Sequence, residues 1–142
     1  MNGGFDHTFI SYFSDNNALA GCFIGTNAAG TAAVPTMRSV ESGYSANFRV
    51  GGPNPADRNL ISGSEVAAVL MYGSANALVE GNLVGTDITG AAPLGNGDVF
   101  ITTAINIGYN GAGTLIRGNV VAATRYGDGM NVGASGSDTM YG

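Results

Sequence analysis

The feature that most constrains this chain is a short motif that recurs at regular distances. Four segments of five residues share one pattern, and they read "GCFIG", "RNLIS", "GNLVG" and "GNVVA". Their second residues are Cys22, Asn59, Asn82 and Asn119, which lie 37, 23 and 37 positions apart. A period of this size is typical of repeat architectures, in which each repeat is one unit stacked on the next.

The alternation of long and short steps predicts a basic unit of about 23 residues with a loop inserted in every second unit. We expect the insertions at residues 26–37 and 86–97, because "GCFIGTNAAGTAAVPT" and "GNLVGTDITGAAPLGN" share their glycines and a Gly-Thr step there. Loops inserted at equivalent places should project from the same side of the molecule and form a ridge.

Within one unit the sequence is typical of short strands. The unit that starts at Asn59 contains the apolar segments Leu60–Ser62, Ala68–Tyr72 and Leu78–Glu80, separated by glycine, serine and asparagine. No stretch keeps apolar residues at helical spacing, and the 24 glycines disfavour helix. Parallel strands need a long connection back to the same edge, and a full coil provides it.

We therefore predict an all-β fold, a right-handed single-stranded parallel β-helix of about five coils with three short strands per coil. A single domain is expected over residues 1–142, with 1–13 as an N-terminal cap and 124–142 as an irregular segment. Residues Asn59, Asn82 and Asn119 should stack as an amide ladder and take the left-handed backbone of a tight bend. The positions expected to point inward are Ile24, Ile61, Val79, Val84, Ile116 and Val121, whereas Glu80 and Arg117 are expected outside as an exposed pair.

Charge and hydropathy exclude several classes of function. The chain has ten acidic residues, five arginines and no lysine, so its net charge of −5 disfavours a nucleic-acid surface. No apolar run approaches the roughly 20 residues that span a bilayer, and the given chain begins with no signal peptide, so we expect no membrane insertion.

The segments "ADRNLISGS", "GNLVGTDITGAAPLGN" and "GNVVA" resemble the repeats of right-handed parallel β-helix proteins, the pectate-lyase-like solenoids of bacterial secreted and cell-surface polypeptides. The resemblance covers roughly residues 16–121. It implies a secreted or cell-surface location and polysaccharide as a partner. Relatives of this kind either bind polysaccharide or cleave it, so the resemblance implies a fold more strongly than a function.

Candidate chemistry is sparse. Asp87 and Asp98 flank the second inserted loop and could form an acid/base pair, although loop acids commonly cap their own backbone amides. We expect His7, the single histidine, to be a solvated end residue. The stretch "GGPNP" at residues 51–55 precedes no helix, and so predicts a turn rather than a phosphate site.

The C-terminal "GASGSDTMYG" is similar to one nonapeptide of the calcium-binding RTX repeat, with Ala134 in place of the second glycine and Asp138 in its usual position. One turn supplies few of the oxygen ligands that calcium needs. A calcium ligand at Asp138 and a simple flexible tail are therefore the two interpretations of this segment. No other cofactor is expected.

The leading hypothesis is a non-catalytic β-helix module, structural or carbohydrate- and surface-binding, that is either part of a larger secreted or cell-surface protein or a small self-associating β-helix. The alternative is a polysaccharide lyase or glycoside hydrolase, or part of one, that acts on acidic polysaccharide. The binding face is expected on the loop ridge, at Thr26, Asn27, Thr86, Asp87, Thr89 and Asn96. Because a short solenoid exposes strand edges at both ends, we also expect a homo-oligomer formed through those ends.

Overall fold

A computed structural model of the protein describes residues 7–97, 103–108, 112–133 and 139–141. These residues contain fourteen β-strands and one 3₁₀ turn at Pro55–Asp57, and they include no α-helix. The strands are β1 (His7–Tyr12), β2 (Ala18–Leu19), β3 (Phe23–Ile24), β4 (Thr36–Gly43), β5 (Arg49–Gly51), β6 (Leu60–Ile61), β7 (Ser64–Tyr72), β8 (Leu78–Glu80), β9 (Leu83–Val84), β10 (Thr103–Gly108), β11 (Leu115–Arg117), β12 (Val120–Val121), β13 (Met130–Val132) and β14 (Thr139–Tyr141).

The strands form three sheets, and all of their pairings are parallel. The first sheet has the order β1-β4-β7-β10-β13, the second β2-β5-β8-β11-β14 and the third β3-β6-β9-β12. Each sheet takes every third strand, so the chain passes through the three sheets in turn and then returns to the first. Four full coils and two strands of a fifth are described, which confirms the predicted parallel β-helix.

The core lies inside the coil and consists of apolar side chains stacked from one coil to the next. The residues predicted to point inward are buried, with Val121 half-buried against the same cluster: Ile24, Ile61, Val79, Val84, Ile116 and Val121. Phe48 is the largest fully buried side chain, and Phe9 of β1 stacks on it with 5.7 Å between ring centroids. The alternation of inward apolar and outward polar residues along short strands produces this single core.

The predicted asparagine ladder is confirmed. Asn59 Nδ2 donates to Asn82 Oδ1 at 3.0 Å, and Asn82 Nδ2 donates to Asn119 Oδ1 at 2.9 Å. Cys22 stands in the same column, and its backbone N–H donates to Asn59 Oδ1 at 2.9 Å. The ladder thus joins all four coils at the bend before the third sheet.

The prediction that these three asparagines have a left-handed backbone is wrong, because in three of the four coils the residue before the ladder position has that conformation instead. Gly21, Gly81 and Gly118 have φ of 66°, 68° and 59° there, whereas Arg58 has φ of −60° and follows the 3₁₀ turn. Glycine adopts positive φ without a steric cost, which leaves the ladder asparagines free to pair.

A second asparagine column, which the sequence did not indicate, does take the left-handed backbone. Asn16, Asn47 and Asn76 have φ of 61°, 57° and 53° at the corner before the second sheet. Asn47 Nδ2 donates to Asn16 Oδ1 at 3.0 Å. Asparagine is one of the few residues that tolerates this conformation, so this column carries the bend.

The origin of the 37-residue steps is partly different from the prediction. Both predicted loops are inserted after the third sheet, and the connection from Ile61 to Ser64 has none. However, the second coil also has a longer bend before β6, since Val50 and Leu60 lie ten residues apart whereas their partners Val79 and Leu83 lie four apart. Residues 51–55 start this bend, as predicted for "GGPNP".

The predicted pairing of Glu80 with Arg117 is confirmed, with 2.7 Å between Arg117 Nε and Glu80 Oε1. Their expected exposure is half wrong, because the Arg117 side chain is 47% exposed but that of Glu80 is only 10% exposed. The pair therefore lies at the boundary between the sheet and solvent.

The two ends of the chain contribute strands to the sheets. Residues 7–12 of the predicted N-terminal cap form β1, the outermost strand of the first sheet. Within the predicted irregular segment, β13 and β14 pair in register with β10 and β11. None of the described segments is a helix with the length and apolar character needed to cross a bilayer.

Candidate functional site

The two inserted loops have the same backbone structure. Each is a small hairpin closed by an isolated antiparallel bridge, Thr26 to Ala33 in the first and Thr86 to Pro93 in the second. The repeated Gly-Thr step is explained by this geometry, because the threonine begins the hairpin and its hydroxyl donates to the next backbone carbonyl at 3.1 Å in both loops. Both threonines are buried, so they maintain the loops and present nothing to solvent.

The residues after the two threonines fix the hairpin tips. Asn27 Oδ1 accepts the backbone N–H of Thr31 at 2.9 Å and that of Ala32 at 3.3 Å. Asn27 Nδ2 also donates to the Thr31 hydroxyl at 3.2 Å. The first tip is therefore held by a side chain that caps its own loop.

Asp87 has the same role in the second tip. Its Oδ1 accepts the Thr89 hydroxyl at 2.7 Å and the backbone N–H groups of Thr89, Ala91 and Ala92 at 3.2–3.3 Å. These hydrogen bonds, the one from the Thr89 hydroxyl above all, hold the pKa of Asp87 below its ordinary value. The expectation that a loop acid caps its own backbone is confirmed.

The two loops contact each other across the coil between them. The backbone N–H of Ile88 donates to the Gly30 carbonyl at 2.9 Å, and Gly63 of the intervening coil donates to the Gly95 carbonyl at 2.7 Å. We call the surface formed by residues 26–35 and 86–97 the loop ridge. Its two hairpins form one continuous surface because the coil beneath them has no insertion.

A cleft of about 150 Å³ lies at the base of the loop ridge. It is lined by the end of both loops, the start of β7 and one arginine from the fourth coil: Ala33, Pro35, Gly63, Ser64, Glu65, Leu94, Gly95, Asn96, Gly97 and Arg125. Asn96 Oδ1 accepts the Ser64 backbone N–H at 2.9 Å, and Asn96 Nδ2 is buried and has no hydrogen-bond partner within the described residues. Among the predicted binding residues, Asn96 is thus the one that lines this cleft.

Two of the predicted site residues, Asp98 and Asp138, lie outside the described residues, so the proposed Asp87–Asp98 pair and the calcium ligand stay predictions. Within the described ranges, no group of three or more His, Cys, Asp or Glu side chains is arranged to hold a metal ion.

A second cluster, on the first sheet, was missed by the sequence analysis. Glu41 of β4 is only 5% exposed, and its Oε2 lies 2.5 Å from His7 Nε2 and 3.6 Å from Arg38 Nε. Its other oxygen, Oε1, accepts a hydrogen bond from the Tyr12 hydroxyl, which in turn accepts one from Tyr72. The expectation that His7 is a solvated end residue is therefore wrong.

In this cluster the Tyr12 hydroxyl is held in its neutral form. Burial of the hydroxyl and its hydrogen bond to the Glu41 carboxylate raise the pKa of Tyr12 above its ordinary value. Tyr12 thus acts as a hydrogen-bond donor near neutral pH, and it is a poor general base.

Four aromatic rings lie next to the hydrogen bond between Tyr12 and Glu41, and they form three successive pairs. The centroids of Tyr12 and Tyr72 are 5.7 Å apart, those of Tyr44 and Tyr72 are 5.6 Å apart, and those of Phe13 and Tyr44 are 5.2 Å apart. Tyr12 and Tyr72 come together because both pair with Gly43, whose lack of a side chain leaves room for the two rings. Tyr12 and Gly43 are 31 residues apart, and Gly43 and Tyr72 are 29 residues apart. These offsets would have indicated the contact, but they differ from the steps of 37 and 23 residues between the Gly-Asn motifs.

Comparisons of this chain with models of protein families, with curated proteins and with solved structures found no match.

Proposed function

We propose that the protein is a non-catalytic β-helix module that binds carbohydrate through the loop ridge and the cleft at its base. The observation that carries this proposal is the joining of the two hairpins into one preorganised surface. Each tip is held by Asn27 or Asp87, and the tips share the Ile88–Gly30 hydrogen bond. A surface that is already ordered loses little conformational entropy when a ligand binds.

The cleft has the dimensions and chemistry to take one edge of a sugar ring. A cavity of roughly 150 Å³ accepts a ring of about the size of benzene. The main chain approaches closely at Gly63, Gly95 and Gly97, whereas Glu65 and Arg125 bring charged hydrogen-bonding groups to its wall. Few polar groups in a mostly apolar concavity are typical of small-ligand sites.

The states of three described acids, Asp87, Glu41 and Glu80, support binding rather than cleavage at these residues. A general acid needs a proton to give at neutral pH, but the pKa of Asp87 is lowered and its Oδ1 accepts hydrogen bonds from its own loop. Glu41 and Glu80 are paired with cationic or donor side chains. Hydrolysis or elimination on an acidic polysaccharide would need a carboxylate or tyrosinate that is free to accept a proton.

The finer features implied by the resemblance belong to the same proposal. These are membership of the pectate-lyase-like solenoids, a secreted or cell-surface location, and association of copies through the solenoid ends. The net charge of −5 without lysine fits a module that works outside nucleic-acid-rich compartments.

A glycan array followed by calorimetry with the best glycan tests the proposal. Arg125→Ala and Glu65→Gln, both at the cleft, should weaken binding about tenfold, as expected for the loss of one charged hydrogen bond. Arg58→Ala is the matched control, because Arg58 is exposed on the bend before β6 and donates to the Gly81 carbonyl. Equal affinities for all three variants would refute the role of the cleft.

The enzymatic alternative is tested on the same preparations. Oligogalacturonides and other uronic-acid polymers, with and without calcium, should be recovered intact after prolonged incubation. Turnover that is lost in Asp87→Asn would replace the binding proposal with a lyase or hydrolase.

A further inference from the structure

One corner of the coil places aromatic residues where the backbone favours glycine. Phe13, Tyr44 and Gly73 follow β1, β4 and β7, at the same place in three successive coils. Their φ angles are 49°, 51° and 61°, so all three have the left-handed conformation. The backbone N–H of Phe13 donates to the Gly43 carbonyl at 3.1 Å, and that of Tyr44 donates to the Tyr72 carbonyl at 2.9 Å.

This conformation is unfavourable for a bulky side chain, and the rings of the two residues gain little from burial. A left-handed backbone brings Cβ close to the following carbonyl oxygen, a clash that glycine avoids. Phe13 is nevertheless 80% exposed and Tyr44 57% exposed. Since Gly73 makes the same turn in the next coil, the fold does not require an aromatic residue there. An uncommon backbone geometry that burial does not explain is an indication of function.

Together with Tyr12 and Tyr72 these residues form what we call the aromatic corner: Tyr12, Phe13, Tyr44 and Tyr72. The rings of Phe13 and Tyr44 are nearly parallel, at 7°, whereas Tyr44 meets Tyr72 edge-on at 89°. Consecutive rings thus form a row in which each ring contacts the next. Most of the exposed surface of this row belongs to Phe13 and Tyr44.

The charged groups around the aromatic corner are already engaged. Glu41 beneath it faces His7 and Arg38, and Asp15 Oδ1 accepts the Ala46 backbone N–H at 2.7 Å. The corner thus presents aromatic rings and tyrosine hydroxyls, and the two acids beside it already accept hydrogen bonds or face cationic groups. This chemistry suits a neutral partner with both C–H faces and hydroxyl groups.

The exposed area also limits the partner. With roughly 200 Å² for a fully exposed aromatic residue, the exposed fractions of Tyr12, Phe13 and Tyr44 give about 350 Å². A stable contact with a second protein copy commonly buries about 800 Å² on each partner, so this corner alone is too small for one. It matches two or three sugar rings.

We propose that the aromatic corner is a binding site for a neutral oligosaccharide, whose pyranose rings stack with their C–H faces on Phe13 and Tyr44. The Tyr72 hydroxyl donates to that of Tyr12, which donates to Glu41, and this chain of hydrogen bonds fixes the two hydroxyls that orient the sugar hydroxyl groups. This inference extends the proposed carbohydrate binding to a second surface, and it has its own variants and its own ligand class.

The test uses titration calorimetry with neutral hexasaccharides of glucose, mannose and xylose, and with a galacturonate hexamer as the acidic counterpart. Phe13→Gly and Tyr44→Gly are the diagnostic variants, because glycine removes the backbone clash and preserves folding. We expect each to weaken binding of the neutral oligosaccharide about tenfold, the loss of one aromatic contact, with an equal or higher melting temperature. Val120→Ala on β12 is the matched apolar control, because Val120 is 45% exposed and belongs to neither the loop ridge nor the aromatic corner; it should bind as the parent does.

Three results would overturn the inference. The first is unchanged sugar affinity in both glycine variants, together with loss of binding in Arg125→Ala; this would leave the loop ridge as the carbohydrate site. The second is a preference for the galacturonate hexamer over all neutral sugars. The third is sugar-independent association in sedimentation that Phe13→Gly abolishes, which would make a second copy the occupant. Conversely, loss of binding in the glycine variants with a normal Arg125→Ala would retain the aromatic corner and refute the proposed function of the cleft.

Discussion

Replacing Asn82 with alanine should be among the most destabilising single changes at a polar residue of this protein. The Asn82 side chain is fully buried and participates in four hydrogen bonds. Its Nδ2 donates to the Val50 carbonyl at 3.0 Å and to Asn119 Oδ1 at 2.9 Å. Its Oδ1 accepts Nδ2 of Asn59 at 3.0 Å and the backbone N–H of the same residue at 3.3 Å.

The loss in the free energy of unfolding depends on the buried groups that no longer have a hydrogen-bond partner. Each of these hydrogen bonds contributes about 0.5–1.5 kcal/mol, and a buried donor left without a partner adds a desolvation penalty, so the loss should be about 3–5 kcal/mol. Asn119→Ala removes a similar set of bonds at a half-exposed position, where water can replace them, and should cost about 1–2 kcal/mol. The two residues stand in the same column, but Asn119 Nδ2 donates to backbone carbonyls whereas Asn82 Nδ2 also donates to the next asparagine, so the difference reflects burial together with this extra amide pair.

Equilibrium urea unfolding followed by far-ultraviolet circular dichroism measures both effects, with unchanged m-values as a check on the unfolding model. Asn54→Ala is a suitable control, because this exposed asparagine lies outside the ladder and bonds only locally to Asp57. A loss below about 1 kcal/mol for Asn82→Ala, or equal losses at Asn82 and Asn119, would refute the claim that buried amide pairing stabilises the coil stack.

Three further predictions concern the loops and the sheet boundary. Gly85→Ala should unfold at a markedly lower temperature than Gly118→Ala, because a Cβ at Gly85 would collide with a carbonyl of the next coil whereas Gly118 has open space; similar melting curves would contradict this. Thr89→Ala should raise the pKa of Asp87 in an NMR titration. Since the folded pKa is depressed, the capped loop is stable above the ordinary value of 3.8 and loses that stability as the pH falls through the lower folded value, so amide exchange in the loop should accelerate there. Glu80→Gln should cost about 1 kcal/mol in low salt and less in 1 M NaCl, as expected for a half-exposed ion pair; a loss independent of salt would contradict it.

The coil architecture could be predicted because its determinants are local. Glycine with positive φ followed by a pairing asparagine leaves a visible Gly-Asn signature at Gly81 and Gly118. The apolar residues two positions later alternate into the core at Val84 and Val121. These rules need only a few neighbouring residues, so counting the motif was sufficient to obtain the coil and its stacked ladder.

The bends and the second cluster could not be predicted by the same means, because their partners are set by distant register. The extra residues before Leu60 and the loop after Ile24 both contribute to one 37-residue step, and the spacing alone shows only their sum. The contact between Glu41 and His7 depends on a different offset in the first sheet, which becomes visible only when β1 is paired with β4. Long-range register is the information that a single sequence expresses least directly.

The coils have two corners with a left-handed backbone, and the two corners differ in the residues that take this conformation. At the corner before the second sheet, the left-handed positions hold Asn16, Asn47 and Asn76, which tolerate this conformation, and Asn47 also donates to Asn16. At the other corner, Phe13 and Tyr44 occupy equivalent backbone positions, tolerate it poorly and remain mostly exposed. Both corners make the same kind of turn in the same coils, so the fold alone does not account for the aromatic residues. Since local inconsistency in folded proteins concentrates at functional sites, the contrast supports the proposal that the aromatic corner is a binding site.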